Sequence, residues 1–319
     1  MARRNRALAF GAAGVGAGLA AAAAYAAARR HRDDVLDLSE LALADDLETV
    51  AVTVDDGVTI HGVAAGSGQP IVLLHGVTLS VATWPYQIAA LRKEFRVIAL
   101  DARGHGLSKH HGPVSGLDRM ASDVAQVFAQ LDLRDAIVVG HSMGGMMTQQ
   151  MVLDFPDLAR ERVAGTILLS TAAAPGQGVP FSGPTTRRFR PGSPAGRVAL
   201  PPGEVGFALA RLALGAKADP RHVAHTRNMT GATSAHTISH VLPHVVAFDV
   251  RARLKDYAVP ALVITGSRDL LTPPRVGREL ARRIPNATFE VVPGGGHMLM
   301  LERAEWLNDR IATFASTVG

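Results

Sequence analysis

Cysteine is absent from the 319-residue sequence, and aromatic residues make up only 5% of it. Without cysteine the chain can form no disulfide, no thiolate metal site and no cysteine nucleophile. Charged residues are a modest 19%, against 47% hydrophobic residues, a balance that is typical of a folded protein and not of a disordered one. The chain is long enough to bury a sizeable core, so any chemistry must come from other side chains on a globular fold.

Positive charge is concentrated near the amino terminus. The formal net charge is +5, and six arginines precede residue 33: Arg3, Arg4, Arg6, Arg29, Arg30 and Arg32. The other 27 basic residues face 28 acidic ones, so the rest of the chain is close to neutral. We therefore do not expect the basic surface that nucleic-acid binding requires.

An uncharged, alanine-rich run of 22 residues, 7–28, lies between the two arginine clusters. A helix of this length would extend about 33 Å, enough to cross a bilayer core of about 30 Å, although alanine contributes little to insertion. We predict that residues 1–32 form a hydrophobic, transmembrane anchor and that the protein is membrane-associated. The alternatives are a cleaved signal peptide, with secretion, and a peripheral helix. Residues 33–47 are expected to form a linker.

Strand-like and helix-like segments alternate through much of the remaining sequence. Continuous apolar runs such as Pro70–Leu74 and 136–139 predict buried strands, and helical patterns separate them. This alternation predicts an α/β fold with a mostly parallel, twisted sheet and helices on both faces. Ligands in such sheets bind at the carboxyl ends of the strands, where His75, Asp101 and Ser142 fall.

The alternation stops between residues 173 and 259, where seven prolines fall within 175–202. We predict a helical cap inserted over the sheet at about 173–259, within a domain that extends over 48–319. The cap contains five histidines that could suggest zinc: His222, His225, His236, His240 and His244. Pro243 interrupts their helical register, and no carboxylate lies between Asp219 and Asp249, so no metal site is predicted.

The segment from Gly140 to Gly144 has the pattern Gly-x-Ser-x-Gly and joins an apolar run to a helix-prone one. This pattern is typical of a nucleophile elbow, in which Ser142 occupies a turn too sharp for ordinary residues. Gly140 and Gly144 lack the Cβ atoms that would collide with the flanking strand and helix. Such a turn would place the Ser142 hydroxyl at a helix amino terminus, where a developing oxyanion is favoured.

A serine hydroxyl needs a base to take its proton, and the base needs an acidic group to orient it. In chains with such an elbow the acid comes next and the histidine last. Asp269 follows one predicted strand, and His297, the sole histidine downstream of it, follows the next. For Asp269 alone, the alternative is a loop aspartate that caps a helix. For His297 alone, it is a histidine packed in a loop. Their order and their positions at strand ends favour a catalytic pair.

Taken together, the motifs resemble those of the serine α/β-hydrolases, from about residue 48 to the carboxyl terminus. The motifs are His75-Gly76, residues 101–108, residues 140–145, residues 266–269 and Gly296-His297. The resemblance implies an α/β-hydrolase fold with Ser142 as nucleophile, His297 as general base and then acid, and Asp269 as the residue that orients it. It also implies an oxyanion hole formed by the backbone N–H groups of Val77 and Met143, and a mainly structural role for residues 101–108.

The resemblance further implies hydrolysis of carboxylic esters through an acyl-enzyme, without a metal or cofactor. With a membrane anchor, lipid-like esters would be suitable substrates. Haloalkane dehalogenases and epoxide hydrolases have an aspartate at the elbow, whereas Ser142 fits acyl transfer. Related alternatives are a C–C bond hydrolase of meta-cleavage products and a cofactor-free, haloperoxidase-like perhydrolase. A non-catalytic binding protein of the same fold is a further alternative, against which the intact set of Ser142, Asp269 and His297 argues.

Overall fold

Eight strands lie in the part of the chain that the computed structural model describes, residues 36–110, 112, 116–174, 210–211, 213–215 and 218–319. They are β1 (Glu48–Thr53), β2 (Thr59–Ala65), β3 (Pro70–Leu74), β4 (Arg96–Leu100), β5 (Ala136–His141), β6 (Val163–Leu169), β7 (Ala261–Gly266) and β8 (Ala287–Val292). They form one sheet in the order β1-β2-β4-β3-β5-β6-β7-β8. The pairs β1·β2 and β2·β4 are antiparallel, and the others are parallel. The prediction of a mostly parallel sheet is confirmed.

The α-helices for which the described residues give both ends lie between these strands or after the last one. They are α1 (Pro85–Leu91), α2 (Leu117–Gln130), α3 (Met143–Asp154), α4 (Pro156–Arg162), α5 (Pro220–Ala232), α6 (Ala235–Ala247), α7 (Pro274–Arg283), α8 (Leu299–Glu302) and α9 (Ala304–Val318). Four of them, α1, α4, α5 and α7, begin with a proline in the first turn. Proline suits this position because the first amide groups of a helix have no intrahelical acceptor.

Helices cover both faces of the sheet and give it two hydrophobic cores. Successive strand side chains point to opposite faces, so Val72 and Leu74 of β3 join α2, α3 and α7 in the first core. Ile71 and Leu73 join α1 and α9 in the second. Burial on both faces explains why the central strands are continuous apolar runs and not alternating ones.

Helices α5 and α6 fall in the region predicted to form the cap. The distance from His225 Nε2, on α5, to the carbonyl oxygen of Ala82 is 2.7 Å. This contact places α5 against the loop that follows β3. Much of the predicted cap, including 175–209, lies outside the described residues, as do 1–32 and the first residues of the predicted linker at 33–47. The domain boundaries therefore stay predictions.

Across the described residues, no helix is long and apolar enough to cross a membrane. The longest, α9, has 15 residues and would extend about 22 Å, short of the roughly 30 Å of a bilayer core. On this finding the predictions of a transmembrane helix and of a membrane localisation are wrong. The run 7–28 on which they rested lies outside the described residues.

A buried guanidinium group ties the turn between β1 and β2 to the loop after β4 and to α2. The side chain of Arg103 is 0% exposed and donates hydrogen bonds to Asp123 at 2.6 and 2.8 Å and to Asp56 at 2.7 and 3.2 Å. Asp123 on α2 is also buried. Removing two charges from water is costly, and these bidentate bonds offset that cost only while both partners are present.

We expect Arg103→Leu to lower the free energy of unfolding by roughly 3 to 5 kcal/mol, because it leaves the Asp123 carboxylate buried without its main partner. The matched control is Arg134→Leu, since Arg134 pairs with Asp132 and Glu161 at an exposed site. It should cost less than about 1 kcal/mol. Urea unfolding followed by circular dichroism measures both, and equal losses would contradict the structural role of Arg103.

Candidate active site

Ser142 lies in the turn between β5 and α3 with φ 52° and ψ −113°. Residues other than glycine rarely adopt a positive φ, and the conformation costs on the order of 1 to 3 kcal/mol. Two hydrogen bonds hold the backbone of Ser142 there. Its N–H donates to the carbonyl of Leu169 at 3.0 Å, and its carbonyl accepts from the Thr171 hydroxyl at 2.7 Å. The turn is therefore imposed by its surroundings.

Glycine is required on both sides of this turn because the backbone is closely approached. A Cβ added at Gly140 would lie 2.5 Å from Thr148 Oγ1, and one at Gly144 would lie 2.2 Å from the carbonyl oxygen of Leu74. Real Cβ atoms do not come this close to such atoms. Neither position accepts a larger residue without movement of β3 or α3.

His297 and Asp269 are joined by a hydrogen bond at the carboxyl ends of the last two strands. Asp269 follows β7, His297 follows β8, and the distance from His297 Nδ1 to Asp269 Oδ2 is 2.9 Å. Both residues are buried. An ionised carboxylate can only accept, so Nδ1 carries the proton and Nε2 is left as the basic nitrogen of a neutral ring.

Asp269 also receives hydrogen bonds from its own loop. It accepts from the backbone N–H groups of Leu271 and Thr272 at 2.9 and 2.8 Å and from the Thr272 hydroxyl at 2.8 Å. Burial would raise the pKa of Asp269, but the attraction of the carboxylate to the protonated form of His297 and the bonds from His297 and Thr272 outweigh it and hold the pKa below its usual range. The carboxylate is therefore ionised at neutral pH.

The strand order brings these residues to one edge of the sheet. β5, β6, β7 and β8 are successive parallel neighbours, so the loops that follow them meet. His141, which precedes Ser142, lies with its ring centroid 4.7 Å from that of His297, and its Nε2 lies 3.0 Å from the carbonyl oxygen of His297. The neighbour of Ser142 is thus in direct contact with His297.

The residues predicted to form an oxyanion hole are neighbours in sequence of Ser142 and of a glycine that approaches it. Met143 is the first residue of α3, so its N–H is among the donors that a helix leaves unpaired at its amino terminus. Val77 follows Gly76, and a Cβ added at Gly76 would lie 3.2 Å from Ser142 Cβ. The predicted donors therefore belong to two segments, the loop after β3 and the first turn of α3, and their role in an oxyanion hole stays a prediction.

Three contacts of the site were not predicted from the sequence. The Thr272 hydroxyl lies 3.3 Å from His297 Nδ1 as well as bonding to Asp269. Aspartate commonly accepts backbone N–H groups of the turn that follows it, so the bonds of Asp269 within its own loop had a sequence signal, whereas the contact of Thr272 with His297 had none. The contact of His141 with His297 and that of Thr171 with Ser142 join segments distant in sequence, and no local pattern indicates them.

In the described part of the chain, no group of three or more histidine or acidic side chains is placed to hold a metal ion. The cap histidines have other neighbours. His225 contacts the carbonyl of Ala82, and His222 Nε2 lies 3.2 Å from the Tyr86 hydroxyl. His236 and His240 pack ring to ring at 4.1 Å.

Three histidines around the site are buried and neutral. Burial lowers the pKa of His75 to about 4 and that of His105 to about 3. Burial, followed by the charge on His297, lowers the pKa of His141 well below its usual value. His75 Nε2 accepts from the N–H of Ala102 at 2.9 Å, which requires the unprotonated nitrogen of a neutral ring.

The chain is similar to known proteins in both sequence and structure. The profile of a family described as alpha/beta hydrolase fold matches residues 69–304. A putative carbamate hydrolase, RutD, of Caulobacter vibrioides is 29% identical over 265 residues, covering 80% of this chain and 93% of that protein. A thermophilic esterase from Thermogutta terrifontis superposes with a TM-score of 0.72 at 26% identity, covering 85% of this chain and 99% of that one. An N-acyl homoserine lactone degrading enzyme gives 0.71 at 29% identity, covering 83% and 100%.

The neutral, buried rings of His75, His105 and His141 predict that stability falls as the pH is lowered from about 6.5 to 5. In this window the unfolded state binds protons that the native state excludes, which costs about 1.4 kcal/mol per pH unit for each ring. Urea unfolding at a series of pH values measures the slope. His105→Asn removes one of the three rings, so the slope of the unfolding free energy against pH should fall by about 1.4 kcal/mol per pH unit. A wild-type stability that does not change across the window would contradict the prediction.

Proposed function

The chain belongs to the alpha/beta hydrolase fold family, and on that premise we propose that it is a serine hydrolase that cleaves carboxylic esters through an acyl-enzyme. Ser142 is the nucleophile, His297 the general base and then general acid, and Asp269 the residue that orients His297. One observation carries the proposal: the 2.9 Å bond between His297 Nδ1 and buried Asp269 Oδ2, at the sheet edge where Ser142 is held in its strained turn.

In the first half of the proposed reaction, Ser142 Oγ attacks the ester carbonyl carbon while its proton passes to His297 Nε2. The carbonyl oxygen becomes an oxyanion, which the N–H groups of Val77 and Met143 stabilise. The bond to the leaving oxygen then breaks, and His297 gives that oxygen its proton. An alcohol departs and the acyl group remains on Ser142.

In the second half, water attacks the acyl group, and its proton passes to His297 Nε2. The tetrahedral intermediate collapses with the return of that proton to Ser142 Oγ, which releases a carboxylic acid and restores the free enzyme. Asp269 keeps His297 in the tautomer with the proton on Nδ1 throughout. The lowered pKa of Asp269 supports this role, because a protonated carboxyl would not stabilise the imidazolium that forms in each half.

Ester chemistry is supported by the relatives' descriptions. An esterase and a lactone degrading enzyme are among the superposed structures, and a lactone is a cyclic ester. Because one relative is described as a putative carbamate hydrolase, carbamates are also candidate substrates. The C–C bond hydrolase and perhydrolase alternatives would use the same Ser142. A panel of p-nitrophenyl esters, lactones, carbamates and a meta-cleavage product, with and without hydrogen peroxide, separates them by product.

We expect Ser142→Ala to reduce hydrolysis of p-nitrophenyl esters by roughly a thousandfold or more while leaving the fold intact, because triad residues act as one unit. A fluorophosphonate should label the wild type at Ser142 with a stoichiometry of about one, because only an activated serine reacts. The matched control is Ser316→Ala, at an exposed serine on α9. It should behave as the wild type in both assays.

Two results would count against the proposal. Residual activity of Ser142→Ala above about a tenth of the wild type would remove Ser142 from the chemistry. A well-folded wild type that reacts with no fluorophosphonate would favour the non-catalytic binding protein.

A further inference from the structure

A carboxylate outside the proposed triad holds the loop that carries His297. Glu302 is the last residue of α8, and its side chain accepts three backbone N–H groups. Gly215 donates to Oε2 at 2.8 Å, Gly296 lies 3.2 Å from Oε1 and 3.1 Å from Oε2, and Met298 donates to Oε1 at 3.2 Å. Gly296 and Met298 are the residues on either side of His297.

The same loop has no regular structure of its own between β8 and α8, so its backbone groups need partners elsewhere. The N–H of His297 donates to the carbonyl of Ala213 at 2.7 Å. Three successive N–H groups, those of Gly296, His297 and Met298, are therefore bound, two by Glu302 and one by Ala213. Ala213 and Gly215 belong to the predicted cap region, so Glu302 joins that segment to the His297 loop.

Resting on the proposed function, we propose that Glu302 is a positioning residue: its carboxylate fixes the His297 loop against residues 213–215, and so holds the imidazole where it bonds Asp269 and serves Ser142. A simpler role, capping the amino terminus of α8, accounts for the bond from Met298 alone. The bonds from Gly215 and Gly296 come from outside that helix.

A carboxylate is required at this position, and an amide cannot replace it. Both oxygens of Glu302 accept, and every one of their partners is an N–H donor. In either orientation a glutamine would turn its NH₂ group toward at least one of these donors, which leaves that donor unpaired. Bonds to an ionised acceptor are also about twice as strong as neutral ones. The site is tight as well, since a Cβ added at Gly296 would lie 2.7 Å from Glu302 Oε1.

Burial raises the pKa of Glu302 above its usual value, and the three N–H groups and the charge of Arg303 oppose that rise. Burying a carboxylate costs free energy, and among the described residues Glu302 has no bidentate arginine partner to offset that cost, so its buried position depends on these N–H groups. Its contacts with the His297 loop are therefore mutual: the loop holds the carboxylate and the carboxylate holds the loop.

The test compares Glu302→Gln with Glu305→Gln, a control with the same change of charge at an exposed site on α9. We expect Glu302→Gln to lower kcat for p-nitrophenyl esters by about tenfold to a hundredfold, since a displacement of about 1 Å in catalytic geometry has effects of this size. KM should change by less than about twofold, and the rate of fluorophosphonate labelling should fall with kcat. Glu305→Gln should match the wild type.

Counting active sites by the labelling endpoint separates positioning from stability. A purely structural role would reduce the number of labelled sites and the melting temperature but leave kcat per labelled site unchanged, and that result would overturn the proposal. If Glu302→Gln does not fold, Glu302→Asp retains the charge but cannot reach all three N–H groups; a wild-type kcat per site in that variant would likewise overturn it. A wild type that neither labels nor hydrolyses esters would instead overturn the proposed function itself, and this inference with it.

Discussion

The strained turn at Ser142 is the constraint on which the rest of the site depends. A serine at φ 52° between a buried strand and a buried helix persists only because its neighbours leave it no alternative. Glycines at 140 and 144 allow β3 and α3 to approach, while Leu169 and Thr171, at the end of β6, bind the Ser142 backbone. The sheet therefore fixes the backbone of Ser142 before any substrate arrives, which is the preorganisation that the proposed acyl transfer requires.

Sheet topology then brings distant residues to that serine. Asp269 and His297 follow β7 and β8, and loops at this edge have few backbone partners of their own. Two carboxylates supply the missing acceptors: Asp269 binds the N–H groups of its own loop, and Glu302 binds those on either side of His297. One buried acid thus orients the ring of His297, and a second acid is proposed to hold the backbone beneath it.

Much of this was predictable because the relevant patterns are local. The run Pro70–Leu74 forms a strand with the predicted bounds, since burial on both faces demands continuous apolar residues. The contacts of His141, Thr171 and Glu302 were not predictable, because they form only when segments far apart in sequence meet. The transmembrane helix was predicted from length and lack of charge in an alanine-rich run, a weak signal since alanine adds little to insertion.

In the proposed reaction, Ser142 carries the acyl group between the two halves. Rapid mixing of the protein with a p-nitrophenyl ester, acid quenching and mass spectrometry of the peptide that contains residue 142 test it most directly. We expect release of p-nitrophenol together with a mass increase equal to the acyl group on Ser142, which disappears as water completes the reaction. Turnover with no acyl group on Ser142, or with the acyl group on another side chain, would contradict it.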